Sequence, residues 1–408
     1  MFVPTPHLSE PDSQSRDQPS GTRCEPCTVV GVSGGVDSAV ALQRLKDAGV
    51  ALRAVFMKNW DEDDAHEYCS AEQDLADARA VCEQLDVPLL TVNFSYEYWE
   101  RVFEEFLAEH RRGRTPNPDV LCNQALKFDA FLDYARDLGA NRIATGHYAR
   151  VTQRSGRFKL LRAHDENKDQ TYFLHRLDQR QLSYACFPLG ELHKTAVREL
   201  ARQSQLPIHD KKDSTGLCFI GERPFTEFLA RYLAPDPGPI CTLDGESIGV
   251  HRGLAFYTIG QRQGLGIGGR AGAAQLPWYV ADKRMSDNAL LVVQGGDHPA
   301  LFAPALIAGS AHWIAGTPPV LPLRCAARIR HRQPLQWCTV SHNQCNEHGN
   351  RRLLHVHFEQ PQRAVAPGQS VVFYDDDECL GGAVIERALH AKNQCLLGPI
   401  PNSPGTGP

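Results

Sequence analysis

The sequence predicts an α/β protein of several units: a parallel-sheet domain, then a small β-rich central domain, then a C-terminal β-barrel. Three observations carry this expectation. From Thr28 onward, short apolar runs alternate with amphipathic stretches, the pattern of strand and helix units that build a parallel sheet. After about Arg231, the residues Pro235, Pro237, Gly238 and Pro239 break any helix, and no long amphipathic stretch follows. The final part of the chain alternates more cleanly between apolar and polar positions, as barrel strands do. At 408 residues the chain is too long for one small domain and buries more than one core.

Taken in order, strands are expected at Thr28 to Val32, Leu52 to Met57, Pro88 to Phe94 and Arg142 to Thr145. Ser38 to Ala48 reads as a helix closed by Gly49. Ser70 with Gln73 forms a capping box ahead of Leu75, Ala78, Cys82 and Leu85 at helical spacing, which makes Cys82 a core thiol. Helical patterns continue at Tyr98 to Glu109, Asn123 to Leu138 and Thr195 to Gln203. Residues 240–296 carry many glycines among short runs such as Leu254 to Ile259 and Trp278 to Ala281. Beyond them, Arg328, Arg330 and Arg332 lie on one strand face, and Val371 to Tyr374 meets Gly382 to Ile385 across the turn Asp375 to Glu378. The resulting units are a disordered tail at 1–27, a catalytic domain at 28–231, the central domain at 232–300, the barrel at 301–395 and a second tail at 396–408.

With 42% hydrophobic and 22% charged residues, the composition argues against a collagenous, disordered or coiled-coil chain. It contains no apolar run of about 18 residues, the length needed to cross a bilayer, so no membrane role is expected. A net charge of −5 excludes a uniformly basic protein but leaves nucleic acid open through local patches. The run His110-Arg111-Arg112-Gly113-Arg114 and the arginine stripe are candidates for such patches. Thirteen dispersed cysteines without a secretory signal point to reduced thiols and a cytoplasmic setting. Cys24 and Cys27 have CxxC spacing but no partner pair, and read as an uncoordinated pair in the tail.

The strongest motif is Ser33-Gly34-Gly35-Val36-Asp37-Ser38, placed between a strand and a helix. Glycines let the backbone curl around an anion, and the N–H groups and dipole of the helix start favour negative charge. No lysine follows as a Walker A loop requires, and the literal GxGxxG at Gly264 to Gly269 precedes Pro277 rather than a helix, so it reads as a loop. Two cysteines stand in unusual settings. Cys122 follows Thr115-Pro116-Asn117-Pro118-Asp119, where the prolines force an extended approach and Asp119 is suited to cap the next helix, placing the thiol in its first turn. The helix dipole there favours a thiolate and the Asp119 carboxylate opposes it, so the direction of its pKa shift stays open; Asp119 is equally a candidate to touch substrate. Cys218 sits in Lys211-Lys212-Asp213-Ser214-Thr215-Gly216-Leu217-Cys218, near two lysines that suit a reactive thiol.

The hexapeptide resembles the SGGxDS loop of the PP-loop ATP pyrophosphatases. Together with Thr115 to Cys122, Ala144 to Tyr148, Asn167 to Gln170, Asp213 to Glu222, Gly260-Gln261-Arg262 and Gly264 to Gly269, it is similar to the tRNA-specific 2-thiouridylase family, from about Thr28 to Glu386. The resemblance implies a Rossmann-like PP-loop domain and an enzyme that adenylates the 2-carbonyl of a tRNA wobble uridine with ATP and Mg²⁺. Sulfur carried as a protein persulfide then displaces AMP. Carbonyl oxygen leaves poorly, and an adenylyl group corrects that.

By motif match, Cys218 is the persulfide carrier and Cys122 the partner nucleophile, with a disulfide between them as the alternative outcome at turnover. Gly31, Val32, Ser33, Gly34, Gly35, Val36, Asp37 and Ser38 with Met57 and Gly146 would bind ATP, and Asp37 is a candidate Mg²⁺ ligand; no separate metal site is expected. Asn117, Pro118 and Asp119 would surround the target base, while His147, Lys168, Asp169, Gln170, Arg330, His331 and Gln369 match tRNA-contacting positions. The implied partners are tRNA and a persulfide donor fed by a cysteine desulfurase relay. Two rivals are a non-catalytic RNA-binding or sulfur-relay protein and an amidotransferase-like ligase, the second of which has no need for Cys218.

Overall fold

The computed structural model describes residues 27–60, 71–213, 224–268, 276–343 and 353–390. Its first sheet is parallel, in the order β3-β2-β1-β4-β7, with β1 at Cys27–Val32, β2 at Leu52–Lys58, β3 at Leu89–Asn93, β4 at Ala140–Ala144 and β7 at Ala185–Cys186. All six residues of β1 are buried, as a central strand covered on both faces requires. Val30 and Val32 pack with Val40 and Leu42 of the helix Val36–Asp47 and with Val197 and Ala201 of the helix Lys194–Gln203. Val29, on the opposite face, packs with Phe103, Phe131 and Ile143. Each such Val or Leu stabilises the fold by about 1.5–3 kcal/mol. Cys27 opens β1 and is buried, so it is a sheet residue rather than part of a tail; Cys24 and the Ser70 cap lie outside the described residues. Cys82 is buried in the core as expected.

The strand order reverses beside β1, because the chain builds β2 and β3 on one side and then crosses to β4 on the other. Ligands of open α/β sheets bind at such a switch point, beyond the carboxyl ends of the strands. Two helical stretches cross below it. Ser95 to Arg111 contains wide i→i+5 turns at Trp99–Phe103, and Pro118 to Asp137 contains them at Cys122–Ala130. Such wide turns recur at functional sites.

A hairpin of β5 (Arg150–Arg154) and β6 (Arg157–Leu161) leaves this domain and joins the C-terminal sheet. The central module orders β8 (Gly238–Thr242), β9 (Ser247–His251), β10 (Trp278–Arg284) and β11 (Ala289–Gln294) as β10-β11-β8-β9. The run from Leu254 is not a strand. It makes a single tight turn at Leu254–Phe256 between Gly253 and Gly260, both at positive φ, with bonds from the Phe256 N–H to the Gly253 carbonyl and from the Tyr257 N–H to the Leu254 carbonyl. Its apolarity has another cause: Leu254, Phe256 and Tyr257 enter the same core as Phe103 and Phe228, so the two units share one hydrophobic cluster.

The last unit is a closed six-stranded antiparallel barrel of β12 (Phe302–Ala308), β16 (Leu354–Arg363), β15 (Gln336–His342), β14 (Leu323–Arg328), β17 (Ser370–Asp375) and β18 (Glu378–Leu389), closed by β18 on β12. A short β13 (His312–Trp313) also pairs β18. The β17–β18 hairpin matches expectation, with Val371 opposite Ala383. The arginine stripe does not. β14 ends at Arg328, Arg330 and Arg332 lie in the following turn, and Arg332 has φ +65°. The α/β class, the parallel Rossmann-like domain, the β-rich centre and the barrel are all present. Among the described residues no helix is long and apolar enough to cross a membrane.

Candidate active site

The loop after β1 turns at Gly34, whose φ is +69°, and a Cβ there would stand 2.2 Å from the Asp74 carbonyl oxygen. Gly35 caps the helix Val36–Asp47 without any side-chain acceptor, leaving its first N–H groups to an external anion. Ser38 Oγ accepts from the Ser33 N–H at 3.1 Å and donates to the Gly35 carbonyl at 3.0 Å, holding the loop in its curl. Gly146, just past β4, crosses this loop so closely that a Cβ would sit 2.7 Å from Ser38 N. Gly31 faces the Met57 side chain and Phe131. Thus Gly31 through Ser38, Met57 and Gly146 surround one cradle at the switch point.

Charges ring that cradle. Asp37 Oδ1 accepts from Tyr148 Oη at 2.8 Å and from Lys194 Nζ at 2.6 Å. Lys194 also pairs with Asp213 at 2.7 Å, and Asp213 takes Lys168 at 2.7 Å and Arg198 at 2.5 Å. Burial alone raises the Asp213 carboxyl, but the hydrogen bonds of Lys168 and Lys194 hold it well below the carboxylate range. Lys211 Nζ donates to the Gly34 carbonyl at 3.0 Å and to Asp74 at 2.7 Å, tying the loop to the helix Ala71–Gln84. Sequence reasoning missed Lys194 and the role of Tyr148: isolated polar side chains that meet the loop only through the fold leave no periodic signal. The residues fit Mg²⁺ carried on ATP, which commonly uses one or two carboxylates and completes its shell with phosphates and water, and Asp37 would be the carboxylate to hold it. Among the described residues no group of three His, Cys, Asp or Glu side chains gathers at metal-binding distance.

The Thr115 to Cys122 segment is built differently. Asn117, not Asp119, caps the helix that begins at Pro118, its Oδ1 accepting from the Asp119 N–H at 3.1 Å. Pro118 occupies the first helical position, where its fixed φ fits and its missing N–H costs nothing. Cys122 consequently lies two residues further into the helix than expected, buried at the start of the wide-turn stretch. Burial raises the Asp119 carboxyl, partly offset by Lys127. Burial, reinforced by the same Lys127, keeps His147 neutral, its Nδ1 paired with Thr145 Oγ1 at 2.8 Å. One cation therefore influences both the segment ahead of Cys122 and the residue beside Gly146. Cys218 lies outside the described residues.

Of the expected tRNA-contacting residues, Lys168 lies in the ion-pair cluster around Asp213 and His147 packs inside the first domain, whereas Asp169, Arg330, His331 and Gln369 make contacts between units, and most are hydrogen-bonded inward. Gln369 Nε2 donates to the Thr115 carbonyl at 2.8 Å. Arg330 donates to the carbonyls of Ile259 and Ala364, and His331 Nε2 lies 3.0 Å from the Asp169 carbonyl. Gln170 Oε1 accepts from the Tyr148 N–H at 2.9 Å. Asp169 and Arg328 form a 2.9 Å ion pair with side chains 0% and 5% exposed, so neither offers charge to solvent. The basic run is split: His110 is buried against the Ala255 carbonyl and Arg114 pairs with Glu109 and Glu386, whereas Arg111 and Arg112 are exposed, Arg112 beside Glu109.

Three family models match in sequence: "tRNA methyl transferase HUP domain" over residues 27–222, "tRNA methyl transferase PRC-barrel domain" over 226–294 and "Aminomethyltransferase beta-barrel domain" over 304–385. Curated proteins named tRNA-specific 2-thiouridylase MnmA are similar over most of their length. That of Methylococcus capsulatus is 55% identical over 372 residues, 91% of this chain and 99% of the relative. Those of Burkholderia thailandensis and Alcanivorax borkumensis are each 55% identical over 88% of this chain, covering 93% and 96% of the relatives. This chain belongs to the tRNA-specific 2-thiouridylase family.

Proposed function

We propose that the chain is a tRNA-uridine 2-sulfurtransferase that forms 2-thiouridine at the wobble position in two steps. The uridine 2-oxygen attacks the α-phosphorus of ATP and pyrophosphate leaves. The terminal sulfur of a Cys218 persulfide then bonds to C2, and AMP departs with the former carbonyl oxygen. The Cys122 thiolate cleaves the remaining S–S bond, which frees the thiouridine and leaves a Cys122–Cys218 disulfide for an external thiol to reduce.

The observation that carries this reading is the cradle of Ser33 to Ser38 beneath Gly146, beside which the His147 ring packs 6.0 Å from Phe128 of the helical stretch that begins at Cys122. The uncapped helix start and the surrounding ammonium groups suit the phosphates. Mg²⁺, with Asp37 as a ligand, would neutralise charge on the phosphate oxygens. The half-buried, hydrogen-bonded Asn117-Pro118-Asp119 turn would hold the base in fixed orientation, which removes positional entropy from the reaction. The tRNA then lies over the junction marked by His147, Lys168, Gln170, Arg330, His331 and Gln369, in the cytoplasm, with sulfur supplied by a desulfurase relay protein. Asp169, within its buried pair, supports that junction from beneath.

The test is direct. Protein supplied with Mg–ATP, unmodified tRNA and a persulfide donor yields AMP, pyrophosphate and 2-thiouridine by nucleoside mass spectrometry. Cys122→Ser and Cys218→Ser each abolish thiolation; an active single variant refutes the two-thiol assignment.

A further inference from the structure

Lys194 is a cation without an assigned task, and its position is set by the fold with some care. Asp165 Oδ2 accepts the Lys194 N–H at 2.9 Å and so anchors the start of the helix Lys194–Gln203. Val197 and Ala201 pin that helix in the core shared with Val40 and Leu42. The side chain is thereby aimed at the second residue of the helix after the loop, where its ammonium bridges Asp37 and Asp213. Around Asp213 the positive groups Lys168, Lys194 and Arg198 outnumber the carboxylates of Asp213 and Asp37 by three to two. Lys211, by contrast, is matched by both Asp74 and Asp77.

We propose that Lys194 binds the phosphate chain of the nucleotide, exchanging its two carboxylate partners for phosphate oxygens when ATP enters. The inference rests on the reading of the Ser33 to Ser38 loop as the ATP site. A lysine ammonium is a compact charge on a flexible stem, able to swing between acceptors while its backbone stays fixed. In the cradle it reinforces the helix dipole, and a polyphosphate with several charges displaces single carboxylates. The exchange leaves Asp37 bonded to Tyr148 with a lone pair available to the metal that accompanies ATP. The side chain is only 13% exposed and faces the loop, a setting that admits a nucleotide phosphate chain but not an RNA backbone.

The experiment measures equilibrium binding of Mg–ATP, Mg–pyrophosphate and tRNA to the full-length protein by calorimetry and filter retention. Lys194→Met weakens ATP and pyrophosphate by roughly ten- to hundredfold, the loss of one charge-assisted hydrogen bond, and leaves tRNA affinity unchanged. Lys194→Arg keeps most of the affinity. Asp213→Asn removes the competing anion and tightens pyrophosphate binding, an effect that a purely structural ion pair does not produce. These two variants carry the test should Lys194→Met fail to fold. Wild-type nucleotide affinity in Lys194→Met overturns the proposal, as does weakened pyrophosphate binding in Asp213→Asn. Loss of tRNA affinity alone reassigns Lys194 to the RNA and overturns it too. Wild-type protein that binds no nucleotide removes the ATP reading itself, and this assignment with it.

Discussion

The Ser33 to Ser38 cradle and the Thr115 to Cys122 segment, proposed to serve one reaction, are held by different means. Around the cradle the bonds are ionic and partly exposed: Asp37, Asp213, Lys168 and Lys194 keep side-chain exposures between 13% and 33%. Around the segment they are mainly hydrogen bonds to main-chain groups, drawn from three units. The Thr115 N–H donates to the Pro367 carbonyl at 2.8 Å, Gln369 takes its carbonyl, and Thr258 Oγ1 meets its hydroxyl at 3.2 Å. Lys283 Nζ donates to the Gly113 carbonyl at 2.8 Å. The difference suits the two proposed tasks. Ion pairs in water-accessible surroundings cost little to exchange, which suits the proposed release of pyrophosphate. Interlocking bonds to the main chain cannot be exchanged one at a time, which suits the proposed presentation of a thiol and a base in fixed register.

The sharpest way to separate the two regions is Gly146→Ala. Its methyl group meets the backbone of Asp37 and Ser38 at 2.7–2.8 Å, and neither can move without opening the cradle. ATP affinity falls by roughly a hundredfold or more, equivalent to about 3 kcal/mol of strain, while the junction and tRNA affinity are untouched. Equal loss of both ligands would show that the regions are one mechanical unit.

Arg328→Met tests the junction next. It strands the fully buried Asp169 without its cation, and breaking one partner of such a pair costs about 3–5 kcal/mol. Thermal unfolding reads this as a lowered midpoint for the whole chain, because Asp169 and Thr171 tie the first domain to Tyr374 of the barrel. A change confined to the barrel would break the picture of a shared junction.

The smallest effect is one of pH. Burial holds His110 at about 4 and His175 at about 3, below the ordinary value of 6.5. Between those values the unfolded chain binds more protons than the folded one, so stability is full above pH 6.5. It declines toward pH 4 by up to about 1.4 kcal/mol per unit for each histidine. His110→Gln flattens part of that slope in urea titrations at pH 5 and 7, and an unchanged slope removes His110 from the account.

Much of the site was legible because its determinants are local. The Ser33 to Ser38 loop announced itself through paired glycines between a strand and a helix, of which Gly34 takes φ +69° and has no room for a Cβ. The stripe that buries Cys82 and the hairpin across Asp375 to Glu378 follow from side-chain periods of 3.6 and 2. Arg328 shows where this logic stops. Alternation placed it on a strand face correctly, but whether that face meets solvent or Asp169, 159 residues away, is not encoded in the period. The Leu254 run failed for a related reason, since an apolar turn that plugs a neighbouring core has the composition of a strand.

Taken alone, the chain's order of residues determined the parallel sheet and the glycine turn that follows its first strand, because backbone freedom and hydrophobic period act over a few neighbouring positions. Only the folded molecule decided that Lys194 reaches across 157 residues to Asp37, that Asn117 displaces Asp119 as the helix cap, and that three units clamp Thr115. Those choices belong to strand order and packing, which bring flexible charged side chains together without leaving a trace in local sequence.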